Sequence, residues 1–212
     1  MQGVSIIFQA AILIMSVVVH EVAHGYSALM QGDTTARDQG RLTLNPLRHL
    51  DLFGSIILPG LLILTNSPFI IGWAKPVPFN PFNLRNKRWG EALVAGAGPL
   101  TNILLAVIFG LVIRFGIQYN VLSISFITIA SSLVFINLVL ALFNLVPIPP
   151  LDGSKLLFSV LPARAQLIRY SLERYGIFLV LFFVVFLWQY IIPVLVYIFM
   201  ILTGVNPMAL PA

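Results

Sequence analysis

The chain has 212 residues, of which 59% are hydrophobic and only 9% are charged, and its net charge is +5. Soluble globular domains carry about a quarter charged residues, so a mean hydropathy of +0.99 excludes an ordinary soluble enzyme and predicts an all-α polytopic membrane protein. The absence of cysteine excludes disulfides and thiolate zinc sites, and because the basic residues form no run we expect no nucleic-acid binding.

Long uncharged stretches predict the membrane-spanning helices, because a span needs about 20 predominantly apolar residues. Four such stretches occur at 1–19, 92–113, 115–151 and 175–212. The spans that we predict from them run approximately over 4–29, 91–113, 121–145 and 176–202. No loop is long enough for a second folded domain, so residues 1–212 are predicted to form one domain in the cell membrane, with a lipid bilayer around it.

A fifth uncharged stretch, residues 52–74, is irregular. It contains 23 residues between Asp51 and Lys75, with a Pro59-Gly60 pair in its middle and a second interruption at 66–68. Proline removes a backbone donor and disrupts a helix interior. This stretch is either a kinked span or a re-entrant hairpin packed inside protein, which brings the total to between four and six membrane segments.

The distribution of lysine and arginine favours the hairpin. If 52–74 enters and leaves on one side, 11 of the 12 basic residues share a face and only Arg114 lies opposite. If 52–74 spans the membrane, four of the 12 basic residues lie on one side and eight on the other. The first arrangement agrees better with the excess of basic residues in cytoplasmic loops. It places both chain termini outside and the loops 31–51, 75–90 and 152–175 in the cytoplasm.

The first span contains the run His20-Glu21-x-x-His24. Residues four apart share one face of a helix, so both imidazoles can reach one Zn²⁺, and Glu21 is placed to take a proton from a water activated by the metal. A chance pattern of surface polar residues is the alternative, but ionisable residues in a membrane helix usually mark function. His20 lies ten residues before the helix end, about 15 Å deep, so we expect the site nearer the cytoplasmic face.

Two histidines leave a tetrahedral zinc one protein ligand short of the three found in catalytic sites. Asp152 is the only acidic residue between Glu91 and Glu173, and it follows the proline-rich run at 147–150. Such a run cannot continue a helix, and extended backbone at a membrane helix end must be buried in protein or line a cavity. Asp152 could instead cap the helix that follows; beside an incomplete zinc motif, we favour the ligand.

These motifs together resemble the site-2 protease family of intramembrane zinc metalloproteases. The resemblance is carried by His20-Glu21-x-x-His24, by Asn-Leu-Val-Pro-Ile-Pro-Pro-Leu-Asp-Gly at 144–153 and, in support, by Gly-Ala-Gly-Pro-Leu-Thr-Asn at 96–102. The segments 43–54 and 72–78 look like a minimal subgroup, and the chain has no room for the PDZ or CBS domains that regulatory members carry.

The resemblance implies that His20, His24 and Asp152 are the zinc ligands and that Glu21 is the catalytic base. It also implies that Asn144 lies near the substrate strand or the oxyanion. The function it predicts is a zinc endopeptidase that cleaves peptide bonds within or near transmembrane segments, with a membrane protein or peptide as substrate.

His49 has two possible roles. It precedes the irregular segment 52–74 and could approach the active-site cavity to bind or orient substrate. Equally, it could be a loop histidine beside Asp51, with Asp51 capping the next helix. Asn102 and Asn137, inside two of the predicted spans, are expected to make hydrogen bonds between helices.

Two other functions are compatible with parts of the sequence. A transporter or channel could use the broken segments at 59–60 and 147–150 as a midplane site, but it would need an inverted repeat, which we do not find. A non-catalytic membrane scaffold could retain the metal. Zinc content together with cleavage of a test transmembrane peptide separates the three.

Overall fold

The computed structural model describes residues 2–65, 72–162 and 166–206. Within these ranges the chain is helical, with turns and extended connections and no strand. The helices, in chain order, are α1 Gln2–Met30, α2 Thr35–Asp38, α3 Leu58–Leu64, α4 Gly90–Gln118, α5 Ile124–Asn144, α6 Asp152–Val160, α7 Gln166–Phe182 and α8 Trp188–Thr203. A π-helical turn, Leu52–Ile57, precedes α3, and another, Phe183–Leu187, joins α7 to α8 without a break.

Four described helices are long and apolar enough to cross a membrane, which confirms the all-α polytopic prediction. They are Ile7–Met30, Gly90–Gln118, Ile124–Asn144 and Ile168–Thr203. The fourth begins before the predicted start at 176, because no proline interrupts the sequence from 166 to 192 and the helix continues through the basic segment.

Helices α1, α4 and α5 pack against one another, and α8 packs against α4 and α5. The α1–α4 pair is antiparallel, since Ser27 contacts Leu93 and His20 contacts Asn102. A core of small and branched side chains joins α4, α5 and α8; its fully buried members are Ala106, Ile113, Ala130, Val134, Leu138, Leu195 and Phe199. Small residues allow helices to approach closely where no hydrophobic effect drives them together.

The segment 52–74 is bent, and its two ends lie together. The Trp73 amide donates to the Gly54 carbonyl at 3.1 Å, Ser55 Oγ donates to the Trp73 carbonyl at 2.7 Å, and the Lys75 amide donates to the His49 carbonyl at 2.8 Å. A side chain at position 54 would overlap the Trp73 indole, so this close approach requires glycine there. These contacts are those that a hairpin requires.

The predicted break at Pro59-Gly60 is wrong in detail. Pro59 lies inside the continuous helix Leu52–Leu64, directly after the π-helical turn. The Gly54 carbonyl, which a residue-59 N–H would reach in π-helical geometry, accepts from the Trp73 amide instead. The second predicted interruption, at 66–68, lies outside the described residues. The apolar helix Leu52–Leu64 is about 20 Å long at 1.5 Å per residue, shorter than the hydrocarbon core of roughly 30 Å.

Candidate metal centre

Helix α1 presents His20 and His24 to the interior, one turn apart. Both side chains are buried, with 6% and 8% of their surface exposed, and their Nε2 atoms lie 3.1 Å apart. The two imidazoles stand edge to face with ring centroids at 4.6 Å. The predicted i, i+4 pair therefore directs both nitrogens to one point.

Asp152 reaches the same point from the other side of the bundle. Helix α5 ends at Asn144, the proline-rich run follows, and Asp152 is the first residue of α6. Its Oδ2 lies 3.1 Å from the Nε2 of His20 and 3.1 Å from the Nε2 of His24. The N-cap position of α6 is Leu151 rather than Asp152. The structure thus places the carboxylate against the imidazoles rather than at the helix cap.

The three donor atoms have the spacing that a zinc ion requires. Four donors at about 2.0–2.1 Å from a tetrahedral zinc lie roughly 3.3 Å apart, close to the 3.1 Å sides of this triangle. Gly98 on α4 faces the triangle, and a Cβ there would lie 2.5 Å from His24 Nε2 and 2.6 Å from His20 Nε2. The residues present fit a zinc ion in chemistry, spacing and room.

The outer nitrogen of each imidazole also has a hydrogen-bond partner. His20 Nδ1 donates to Asn102 Oδ1 at 2.5 Å, and His24 Nδ1 donates to the Val94 carbonyl at 2.7 Å. A protonated Nδ1 leaves the Nε2 lone pair free for a metal, and such partners set the ring orientation at metal sites. In the neutral form, each histidine therefore carries its lone pair on Nε2, the nitrogen that faces Asp152.

Glu21 borders a cavity of about 170 Å³ that also contains the triangle. We call the extended segment 73–80, which closes one side of this cavity, the strap. The Val77 amide of the strap donates to Glu21 Oε2 at 2.9 Å. Arg41, which is buried, donates through Nη2 to the carbonyls of Lys75 and Pro76. Glu21 is therefore beside the triangle, with one carboxylate oxygen held by the backbone.

The C-terminal end of the strap is attached to Asp33, just after α1. Asp33 is fully buried, and its carboxylate accepts hydrogen bonds from the Thr35 hydroxyl, the Asn80 amide and the Asn83 side chain. Burial alone would raise the pKa of Asp33, but these hydrogen bonds outweigh it and hold the pKa below its usual value.

The two remaining candidates lie in different places. Asn144 borders the cavity, and its Nδ2 donates to the Leu140 carbonyl of its own helix. His49 is buried away from the residues that line the cavity, with Nε2 bonded to the Thr43 carbonyl. The Asp51 side chain accepts a hydrogen bond from the Gly54 amide. This is the helix cap expected in the second interpretation of His49, a loop histidine beside a capping Asp51.

The comparisons with known proteins decide the family. The model of peptidase family M50, the site-2 protease family, matches residues 8–124 and 116–187. The chain belongs to peptidase family M50.

Related M50-type proteins extend this assignment. The chain is 43% identical over 178 residues, 80% of its length, to a Bacillus subtilis protein named "Putative zinc metalloprotease YwhC", 77% of which is covered. It is 33% identical over 141 residues to a Mycolicibacterium smegmatis protein named "Putative zinc metalloprotease Rip2", covering 66% of the chain and 52% of that relative. No solved structure matches significantly. The chain is thus a metalloprotease of family M50, whose cofactor is zinc.

Two residues beside this M50 site were not identified from the sequence. Gly98 belongs to the run 96–102, which supported only the family resemblance; Asn102, four residues later on the same face of α4, is the signal that could have identified it. Lys155 borders the cavity, with Nζ 5.2 Å from the centre of the Phe79 ring. Its position three residues after Asp152 places both on one face of α6, and that spacing could have identified it.

Proposed function

We propose that the chain is an intramembrane zinc endopeptidase that cleaves peptide bonds within or near transmembrane segments of membrane proteins. The convergence of His20 Nε2, His24 Nε2 and Asp152 Oδ2 at 3.1 Å from one another, inside a bundle of apolar helices, carries the proposal. We assign these three as the protein ligands of one zinc ion. Zinc in such a site polarises the scissile carbonyl and lowers the pKa of its water.

Glu21 is the proposed general base of the HExxH type. Its carboxylate borders the cavity, and the Val77 amide holds only Oε2, which leaves Oε1 to accept a proton from the attacking water and to pass it to the leaving amine. Asn144, on the cavity wall, is the proposed contact for the substrate strand or for the oxyanion.

The substrate must be extended at the cleavage site. The peptide bonds of a transmembrane helix are shielded by their own hydrogen bonds, and a cavity of about 170 Å³ is too narrow for a helix of about 10 Å diameter. A segment that unwinds easily is therefore the preferred substrate.

We place the active site nearer the cytoplasmic face. The strap and the loop that precedes it follow the C-terminal end of α1, and α6 follows the C-terminal end of α5. The segments 31–89, between α1 and α4, and 145–165, between α5 and α7, together carry nine of the 12 basic residues, and basic residues are enriched in cytoplasmic connections.

The decisive experiment uses the purified chain in liposomes with a test transmembrane peptide. We expect the wild type to cleave the peptide and Glu21→Gln to retain zinc while the rate falls by about 10²–10⁴-fold, because an amide does not accept the proton. Glu91→Gln is the matched control; Glu91 lies in the first turn of α4 and is not among the residues that line the cavity, and this variant should cleave as the wild type does. Cleavage by Glu21→Gln at the wild-type rate would refute the mechanism, and zinc-loaded wild type without cleavage would favour the scaffold.

A further inference from the structure

A series of hydrogen-bonded polar side chains connects α5 through α4 to the metal centre. All four members are buried: Asn102 and Asn137 have no exposed surface, Ser16 is 5% exposed, and His20, the last member, is 6% exposed. Asn137 Nδ2 lies 2.9 Å from Ser16 Oγ, Asn102 Nδ2 lies 2.7 Å from Asn137 Oδ1, and His20 Nδ1 lies 2.5 Å from Asn102 Oδ1.

A backbone carbonyl sets the direction of these hydrogen bonds. Asn137 Nδ2 lies 2.9 Å from the Leu133 carbonyl, and because a carbonyl only accepts, this end of the Asn137 amide must be its NH₂ group. Asn137 Oδ1 therefore accepts from Asn102 Nδ2, so that Asn102 turns its own oxygen to His20. That oxygen also only accepts, which requires a hydrogen on His20 Nδ1, so that in the neutral imidazole the Nε2 lone pair faces Asp152.

The two histidines differ in the group that accepts the hydrogen bond from Nδ1. His24 Nδ1 donates directly to the Val94 carbonyl, a backbone group of α4 that no side-chain substitution removes. His20 has no such backbone partner among the described residues, and its orientation depends on two asparagine side chains from different helices.

We infer that Asn102 and Asn137, with Ser16 behind them, form a positioning relay that holds His20 in the tautomer and orientation in which it binds zinc. The inference rests on the zinc site proposed above. Asparagine side chains in membrane helices commonly form hydrogen bonds between helices and so contribute to helix association. A purely associating pair needs no acceptor turned to an imidazole, whereas partners of metal-bound histidines typically change metal affinity by 10–100-fold.

The test measures zinc affinity of the purified full chain by competition with a chromophoric chelator. Asn102→Leu removes the acceptor at nearly constant volume, and we expect affinity to fall 10–100-fold. Asn102→Asp keeps an oxygen for His20 Nδ1 but loses the donor to Asn137 Oδ1, so it should bind zinc at least tenfold more tightly than Asn102→Leu and less tightly than the wild type. Asn137→Leu should lower affinity less, because Asn102 keeps its oxygen but loses its orientation. Ser131→Ala on α5 is the control; its buried hydroxyl has no hydrogen-bond partner in the described structure, and its affinity should equal that of the wild type.

The outcomes distinguish a positioning role of Asn102 from a packing role, and both from failure of the proposed zinc site. Equal affinity in Asn102→Leu and the wild type overturns the relay, and so does an equal loss in Asn102→Leu and Asn102→Asp, since both would then reflect packing. If Asn102→Leu does not fold, Asn102→Asp decides: an affinity within tenfold of the wild type supports the relay, and a 100-fold loss overturns it. Failure of the zinc site is recognised separately, because His24→Ala would then bind zinc as tightly as the wild type.

Discussion

Replacement of Gly98 by alanine should remove zinc from the protein while α4 stays intact. The added Cβ would lie 2.5 Å from His24 Nε2 and 2.6 Å from His20 Nε2 and Cε1. Since a Cβ contact below 3.0 Å essentially never occurs in proteins, the imidazoles or the helix must move by about 0.5 Å or more. Ligand distances in a working metal site tolerate about 0.2 Å.

The size of the effect follows from this displacement. Removal of an outer partner of a ligand typically costs 10–100-fold in metal affinity, and displacement of two ligands should cost at least about 100-fold. Loss of helix α4 is not the cause, because alanine is favoured over glycine in a helix interior by about 1 kcal/mol.

The assay compares zinc content and thermal unfolding of Gly98→Ala with those of Gly96→Ala. Gly96 lies on the same helix, and a Cβ there would meet only Leu156 Cδ2, at 3.6 Å, an ordinary contact. The control should hold zinc as the wild type does. Full zinc occupancy in Gly98→Ala would refute the geometry that places α4 against the two imidazoles.

Three further predictions concern the connections around the site. Arg41→Gln should expose the strap to proteolysis, because the Arg41 hydrogen bonds to two strap carbonyls are lost; the exposed Arg37→Gln should not. Asp33→Asn should lower the unfolding temperature at pH 7, because the hydrogen bonds that the carboxylate accepts stabilise the fold by about 1–3 kcal/mol. Because folding lowers the pKa of Asp33, the stabilisation is complete above the usual aspartate pKa, so the difference from the wild type should shrink as the pH falls below about 4. Cysteines introduced at Arg48 and Lys87 should both resist an impermeant thiol reagent in intact cells while one in the α4–α5 connection is labelled; labelling at Lys87 but not at Arg48 would mean that 52–74 spans.

The sequence predicted features that depend on one helix at a time. Uncharged runs indicated the four long helices, since a span is recognised by its own composition, and the i, i+4 spacing predicted that His20 and His24 share a face. Asp152 could be found because it is the only acidic residue between Glu91 and Glu173 and directly follows the proline-rich run at 147–150.

Features that depend on contacts between segments were not predictable in the same way. The rotation of α4 about its axis decides that Gly98 rather than Gly96 faces the histidines. The apolar residues of α4 do not report that rotation, and Asn102, four residues after Gly98, is its one polar signal on that face. The strap has no regular structure, so neither the contact of Val77 with Glu21 nor the burial of Arg41 has a sequence signal.

The measurement that tests the zinc centre most directly is X-ray absorption at the zinc edge of the purified wild type and Asp152→Ala. We expect one zinc per chain in the wild type, with two imidazole nitrogens and a carboxylate oxygen at about 2.0–2.2 Å, and loss of most of the zinc in Asp152→Ala. An unchanged zinc content and an unchanged spectrum in Asp152→Ala would contradict the assignment of Asp152 as a ligand and with it the proposed site.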